Sequence, residues 1–173
     1  IRVPNRTTSV LYTPTPAVSG ISGLMVNGKA EKVAMDRGYA VITRTWKAGD
    51  RVEFELPMKP QRIAASEKIE STRGKVALRY GPMIYNIERE DQDITKALAA
   101  SSPLETEWRK DFLGGVTVIK GKFADGSPML AVPNYARMNR AAETEYPPPP
   151  PPRPGPDGRR PEPPPPASIV WIK

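Results

Sequence analysis

Apolar and polar residues alternate most regularly at residues 51–58, where every second position is apolar. A period of two residues is typical of a β-strand that buries one face and leaves the other in water. Residues 39–46 form a second run rich in β-branched and aromatic side chains, and the sequence Lys-Ala-Gly-Asp at residues 47–50 favours a turn between them. We therefore expect residues 39–46 and 51–58 to pair as a β-hairpin.

Short strands separated by turns continue along the rest of the chain. Asn27 and Gly28 follow an apolar run and favour a two-residue turn with positive φ at both positions. The other predicted strands lie at residues 75–80, 83–88, 116–123, 129–132 and 169–172, with turns at 81–82 and 124–127. This pattern predicts an all-β fold, an antiparallel β-sandwich. One short helix is expected at residues 94–100, with Asp93 as its N-cap.

The alternation weakens after residue 58, and we place a module boundary near residue 65. The prediction is two small sandwich modules, a first β module at residues 1–65 and a second β-sandwich module at residues 66–173. The sequence does not begin with methionine, which is expected if the start was removed or if the chain is a piece of a longer protein. If strands of the first module lie upstream of Ile1, an exposed sheet edge would favour a homo-oligomer.

Proline is concentrated in one tract, because 13 of the 22 prolines lie between Pro147 and Pro166. Nothing apolar in this tract can offset the entropy lost on ordering it. We expect residues 141–167 to be a proline-rich, disordered insertion in the second module, with polyproline II at residues 147–152. A flexible insertion is the preferred interpretation, and a ligand for an aromatic-lined groove in a partner is the alternative.

The composition excludes most familiar catalytic groups. The 173-residue chain has neither cysteine nor histidine, so it has no thiolate nucleophile, no disulfide and no imidazole base or metal ligand. The net charge is +7, but acidic residues interrupt the basic ones, so we expect no nucleic-acid partner. No apolar run reaches the roughly 18 residues of a membrane span, and no membrane partner is expected. The cellular location cannot be assigned.

Acidic residues cluster at residues 88–93 and at residues 105–111. Two carboxylates that flank a cleft can hydrolyse a glycosidic bond. A solvated loop between strands produces the same pattern, and we prefer that interpretation. Neither cluster has the spacing of a calcium-binding loop.

The three tryptophans fall in different sequence contexts. Trp46 and Trp171 lie in strand patterns and are expected in the core. Trp108 lies between charged residues and is the aromatic residue that we expect to be exposed. An exposed aromatic ring is a candidate platform for a sugar ring.

Several motifs, in a consistent order, together resemble a known family. They are VNG at 26–28, GYA at 38–40, RTW at 44–46, GD at 49–50, LPM at 56–58, GKVALR at 74–79, GP at 81–82, LGGV at 113–116, YA at 135–136, NR at 139–140 and VWI at 170–172. In this order they resemble the C-terminal β-sandwich region of glycoside hydrolase family 127, the β-L-arabinofuranosidase-like proteins. The resemblance covers nearly the whole chain apart from the proline tract.

The resemblance implies that this chain is a non-catalytic portion of a glycoside hydrolase. Family members carry out catalysis in a preceding α/α barrel, where zinc-associated cysteines and a glutamate act, and β-sandwich domains follow that barrel. Because cysteine and histidine are absent here, no catalytic residue of the family can be carried over. We expect no catalytic residue, metal ligand or cofactor in this chain, and zinc only in the barrel, which is its implied partner. The chain alone is expected to be inactive.

Two other functions are kept as alternatives. The first is a stand-alone carbohydrate-binding module in which Trp108 or Tyr135 stacks on a sugar, so that carbohydrate is a partner. The second is an interaction protein whose proline tract binds another protein.

Overall fold

The computed structural model describes residues 1–5, 9–139 and 166–173. The chain divides into two compact units, Ile1–Ile84 (unit 1) and Tyr85–Lys173 (unit 2). Within the described residues, regular structure consists of antiparallel strands and two short 3-10 helices, Glu70–Thr72 and Asn134–Ala136, without an α-helix. The predicted all-β, antiparallel sandwich class is therefore confirmed. No helix in this part of the chain has the length and apolarity needed to cross a membrane.

Eight strands begin and end inside unit 1. They are β1 (Tyr12–Thr15), β2 (Gly23–Val26), β3 (Lys29–Ala30), β4 (Ala34–Asp36), β5 (Tyr39–Val41), β6 (Val52–Glu55), β7 (Pro60–Ala65) and β8 (Val76–Tyr80). Strand β7 lies between β1 and β8, β2 lies between β3 and β6, and β4 pairs with β5. Cross-strand partners share a face of the sheet, so the register places Leu24 beside Phe54.

The hairpin predicted from residues 39–46 and 51–58 is wrong. Strand β5 ends at Val41 and pairs with β4, whereas β6 pairs with β2. The turn before β6 does form, because the Asp50 amide donates to the Lys47 carbonyl at 3.1 Å. Residues 42–46 are not strand, so no strand precedes this turn for β6 to pair with. The alternating pattern identified the strand but carried no information about its neighbour.

The two-residue turn predicted at Asn27 and Gly28 is confirmed. Both residues have positive φ, 52° and 73°, and they connect β2 to β3. The Asn27 side chain also donates to Asp50 Oδ1 and accepts a hydrogen bond from the Arg51 amide, each at 2.8 Å. These bonds tie the turn to the start of β6, which explains locally why β6 lies beside β2.

The strands of unit 2 form one antiparallel sheet. They are β9 (Met83–Glu88), which enters the unit at Tyr85, β10 (Glu105–Arg109), β11 (Val116–Lys122), β12 (Pro128–Pro133) and β13 (Ser168–Ile169). Their order is β9, β12, β11, β10, and β13 also pairs with β9. The predicted strands at 75–80, 83–88, 116–123 and 129–132 are confirmed, that at 169–172 is only partly strand, and β10 was not predicted.

The helix predicted at residues 94–100 is wrong. Asp93 Oδ1 accepts hydrogen bonds from the Thr95 amide at 2.9 Å and from its hydroxyl at 2.6 Å, which closes a turn instead of capping a helix. Leu98 then forms an isolated β-bridge with Phe123. Ile94 and Leu98 are buried, so the apolar spacing reflects burial in an irregular segment.

Buried side chains are distributed unequally between the units. Of the 19 buried hydrophobic residues found in the described part of the chain, six lie in unit 1 and 13 in unit 2. In unit 2, Val116, Val118 and Val132 form a cluster against which Phe112 and Leu130 pack. Unit 2 therefore has the larger core of the two.

Two predictions about domain organisation stay predictions. The boundary near residue 65 differs from the division between Ile84 and Tyr85, and β7, which ends at Ala65, pairs with β8 on the other side of the predicted boundary. The insertion predicted at residues 141–167 lies outside the described residues, apart from Pro166 and Ala167.

Candidate functional site

Trp108 presents a large aromatic surface at the edge of the sheet in unit 2. It belongs to β10, which has β11 as its neighbour on one side only, and 64% of the residue is exposed. Aromatic side chains of this size are ordinarily among the most buried groups of a domain. The predicted exposure of Trp108 is therefore confirmed, whereas its role in binding carbohydrate stays a prediction.

Trp46 is also exposed, so the prediction that it lies in the core is wrong. Its exposed fraction is 48%, and the Arg44 guanidinium lies over the indole, 5.3 Å from the ring centroid. Residues 42–46 form no strand, so Trp46 has no sheet face to pack against. Trp171 is half-buried.

The connection from β10 to β11 brings the backbone against the Trp108 indole. Leu113, Gly114 and Gly115 have positive φ angles of 47°, 79° and 119°, and the Gly115 amide donates to the Phe112 carbonyl at 2.8 Å. A Cβ atom on Gly115 would lie 2.4 Å from Cζ2 of Trp108. Only glycine at position 115 therefore allows the Trp108 indole to lie this close to the backbone. The sequence showed two adjacent glycines but gave no signal of this contact.

Two threonines share the face of the hairpin that carries Trp108. Thr106 precedes Trp108 by two positions in β10, and Thr117 is its cross-strand partner in β11. Side chains related in these two ways project from the same face of a sheet. In the described residues neither threonine hydroxyl takes part in a hydrogen bond. The face combines one aromatic surface with two unpaired hydroxyl groups. Sequence analysis missed this arrangement because β10 was not predicted.

The opposite face of the same hairpin carries paired charges. Lys120 Nζ donates to Glu107 Oε2 at 2.8 Å, and Arg109 donates twice to Asp111, at 3.1 Å and 2.8 Å. These hydrogen bonds lower the pKa of Glu107 and of Asp111. A catalytic acid in glycoside hydrolysis needs a raised pKa, so the lowered pKa values argue against that role for Glu107 and Asp111. These two residues form ion pairs instead. Residues 105–109 are strand, so our interpretation of them as a loop is wrong.

The acidic cluster at residues 88–93 is divided between strand and turn. Glu88 is buried in β9, where its Oε1 accepts hydrogen bonds from Asn86 Nδ2 at 3.2 Å and from the Met138 amide at 2.6 Å. In the turn, the Thr95 hydroxyl and amide lower the pKa of Asp93. Among the residues that the structure describes, no three acidic side chains converge on a metal position.

Tyr135 is the second predicted carbohydrate-binding residue. It lies in the 3-10 helix Asn134–Ala136 and is 62% exposed, while the neighbouring Ala136 is fully buried. Two cavities of unit 2, of about 180 and 310 Å³, are lined by other residues and contain neither Tyr135 nor Trp108. Neither of these two cavities therefore joins the two predicted residues.

Two family models match consecutive parts of the chain. The model described as "Beta-L-arabinofuranosidase, GH127 middle domain" matches residues 1–58, and that described as "Glycoside hydrolase family 127 C-terminal domain" matches residues 60–145. This chain belongs to glycoside hydrolase family 127. It holds the middle and C-terminal domains of the family, which confirms the resemblance found in the sequence. No curated protein matches the chain.

Solved structures of GH127 proteins have the same fold over most of this chain. A GH127 β-arabinofuranosidase is 22% identical, with a TM-score of 0.71 over 94% of this chain and 24% of its own. A GH127 β-L-arabinofuranosidase from Geobacillus stearothermophilus T6 is 25% identical, with a TM-score of 0.67 over 93% and 26%. A structure described as a glycoside hydrolase is 21% identical, with a TM-score of 0.67 over 99% and 26%. The chain thus spans about a quarter of the length of these proteins.

The GH127 domains divide the exposed aromatic residues between them. Trp46 lies within the middle domain, whereas Trp108 and Tyr135 lie within the C-terminal domain. The two GH127 models meet between Met58 and Pro60, just before β7. The face formed by Trp108, Thr106 and Thr117 consequently belongs to the GH127 C-terminal domain.

Proposed function

We propose that this chain is the non-catalytic, β-rich portion of a GH127 glycoside hydrolase whose α/α barrel carries out hydrolysis. The observation that carries the proposal is the match of the middle and C-terminal domain models to residues 1–58 and 60–145, in a chain about a quarter as long as its structural relatives. In this proposal the barrel is the partner of the chain, and the substrate is a terminal arabinofuranoside-like sugar.

The side chains present support a structural role. The carboxyl groups of Asp50, Asp93, Glu107, Asp111 and Asp125 all have a lowered pKa, caused mainly by hydrogen bonds to the ionised form. Such groups hold negative charge and are poor proton donors. Zinc belongs in the barrel in this proposal, and no residue here is proposed as a ligand for it or as a catalytic group.

Exposed apolar residues of unit 1 support packing against the barrel. Met25 and Phe54 are 42% and 47% exposed, and both line a cavity of about 340 Å³ whose other lining residues include Glu53 and Glu55. Exposed large apolar residues of this kind are candidates for an interaction surface. This part of unit 1 is our candidate for contact with the barrel.

Assays on the purified chain test the proposal. The folded chain should release no nitrophenol from 4-nitrophenyl β-L-arabinofuranoside, with or without added zinc, while the Geobacillus enzyme serves as the positive control. Sequencing the gene upstream of Ile1 should find a predicted α/α barrel in the same reading frame. Turnover by this chain without zinc, or an upstream frame without a barrel, would contradict the proposal.

A second candidate function is carbohydrate binding by the chain itself. The exposure of Trp108 and Tyr135, both above 60%, favours it. Arabino-oligosaccharides are the first probes, because the structural relatives are named as arabinofuranosidases. Calorimetric titration at millimolar sugar should give a binding isotherm, and a flat titration would count against this function.

A further inference from the structure

We propose that Trp108 and Thr117, with Thr106 beside them on the same face of the β10–β11 hairpin, form a subsite for one uncharged sugar ring. The inference rests on the second candidate function, carbohydrate binding, and does not depend on hydrolysis by the parent protein. It identifies the groups that hold the sugar and the charge that the sugar must have.

The indole supplies the apolar contact that a sugar ring needs. One face of a sugar ring presents C–H groups, which pack on an aromatic plane. Trp108 is 64% exposed, and its Cζ2 edge lies against the Gly115 backbone. Because this contact limits the positions that the indole can adopt, less conformational entropy is lost when a ligand binds.

The two threonines supply the polar contacts. A threonine hydroxyl donates one hydrogen bond and accepts two, which suits the hydroxyl groups of a sugar. Thr117 is the direct cross-strand partner of Trp108, at a Cβ separation of about 5 Å. Thr106 lies two positions along the strand, about 7 Å away. Thr117 is therefore the nearer of the two hydroxyls to a ring stacked on the indole, and Thr106 lies on the same face, on the side of Trp108 away from Gly115.

The distribution of charge selects an uncharged sugar. The paired positions on this face are Thr106 with Ile119 and Trp108 with Thr117, none of which is ionisable. Two charged residues of the hairpin, Glu107 and Lys120, are bonded to each other on the opposite face. No positive side chain of the paired strands is thus directed at a sugar carboxylate, so an acidic sugar gains nothing over a neutral one.

Two other exposed aromatic residues, Trp46 and Tyr135, lack this combination. The Arg44 guanidinium covers one face of the Trp46 indole. Tyr135 lies in a 3-10 helix and has no paired strand beside it to supply flanking hydroxyls. Trp46 is therefore a suitable control.

Titration of the folded full chain tests the subsite. A neutral arabino-oligosaccharide should bind with a Kd on the order of 1 mM, the range expected for one small ring. Trp108→Ala should raise this Kd about tenfold or more, whereas Trp46→Ala should leave it unchanged. Thr117→Val should raise it several-fold, and an oligogalacturonide should bind no more tightly than the neutral sugar.

A matched glycine pair tests the contribution of the indole position. Gly115→Ala places a methyl group against the indole, whereas Gly114→Ala, also at positive φ, meets nothing within 4 Å. Both variants strain the backbone, but only Gly115→Ala should weaken sugar binding and shift the Trp108 Nε1–H resonance in NMR spectra. Equal Kd values for the two variants would contradict the proposed positioning.

The outcomes separate the subsite from the broader function. Sugar binding that survives Trp108→Ala unchanged would overturn the subsite and leave carbohydrate binding in place. A flat titration with every neutral sugar tested would overturn both. Stronger binding of the oligogalacturonide than of the neutral sugar would overturn the inferred ligand charge.

Discussion

The two compact units of this chain differ in where they place large apolar side chains. Unit 2 holds 13 of the 19 buried hydrophobic residues, although a smaller part of it is described. Unit 1 holds 11 of the 15 exposed large hydrophobic residues found in the described residues. Burial of apolar area is the main source of stability. Unit 2 therefore resembles a self-sufficient domain, and unit 1 resembles one that needs a partner surface.

Both units also bury polar side chains: of the five buried polar or charged residues found in the described part of the chain, one lies in unit 1 and four lie in unit 2. Gln61 is 1% exposed, and it donates to the Pro16 carbonyl at 2.6 Å and accepts from Arg79 Nε at 3.0 Å. The Asn27 and Asp50 side chains likewise connect two turns at 2.8 Å. In unit 2, side-chain hydrogen bonds occur together with a larger apolar core. The comparison predicts that truncating apolar side chains harms unit 2 most.

Two phenylalanines give the largest expected contrast. Phe123 in unit 2 is 1% exposed, whereas Phe54 in unit 1 is 47% exposed. Phe123→Ala should lower the free energy of unfolding by about 3–5 kcal/mol, because it removes a buried ring and leaves a cavity. Phe54→Ala should lower it by less than about 1.5 kcal/mol. Urea unfolding followed by circular dichroism measures both, and equal losses would show that the units do not differ in this way.

Two glutamines compare buried polar contacts across the units. Gln61→Ala should cost about 1–3 kcal/mol, because the Pro16 carbonyl loses its donor inside the protein. Gln92 in unit 2 bonds both the carbonyl and the amide of Leu130, at 2.6 Å and 2.8 Å, but is only half-buried. Gln92→Ala should therefore cost less, since water can replace the lost bonds. The same urea experiment applies, and a larger loss for Gln92→Ala would contradict the expectation that the more deeply buried glutamine contributes more.

The units also differ in how well the sequence predicted them. In unit 2, a local turn joins β11 to its neighbour β12, so the pattern located both strands and the turn at 124–127 correctly. In unit 1, β6 pairs with β2 across more than twenty residues. Alternation cannot specify such a partner, because every amphipathic strand satisfies the same pattern.

The candidate site was predicted only in part. The charged neighbours of Trp108 correctly indicated its exposure. Thr117 joins the site through the register, and Gly115 joins it through the close approach of its backbone to the Trp108 indole. Both depend on tertiary geometry that local spacing does not encode. The prediction that Trp46 is buried was wrong for a related reason, because its strand-like sequence does not form a strand.

Exposed apolar residues of unit 1 should bind a hydrophobic dye. The double variant Met25→Ser and Phe54→Ser should remove much of the fluorescence of anilinonaphthalene sulfonate added to the folded chain, because both side chains line the same cavity. Leu113→Ser in unit 2 is the control, since Leu113 has a similar exposure of 45% outside that cavity. Equal loss of fluorescence in both variants would mean that the dye does not distinguish the units.

The smallest expected effect is the dependence of stability on pH, which we compare at one turn carboxylate in each unit. Hydrogen bonds from Asn27 and the Lys47 amide lower the pKa of Asp50 in unit 1. Hydrogen bonds from Lys96 and Ser127 lower the pKa of Asp125 in unit 2 more strongly. A folded pKa below the unfolded value near 3.8 means that stabilisation is present above that pH and is lost as the pH falls through the folded pKa.

Asp50→Asn and Asp125→Asn should therefore lower the melting temperature at about pH 7, and the difference from the parent chain should shrink toward about pH 2. The shrinkage should be greater for Asp125→Asn, because its carboxylate gains more from its partners in the folded state. Thermal unfolding at both pH values measures the effect. If the difference from the parent chain grew on acidification, the ionised carboxylate would be destabilising in the folded turn, and the hydrogen bonds would not be the dominant contacts. If Asp50→Asn showed the larger pH dependence, the turn of unit 1 would contribute more than its contacts indicate.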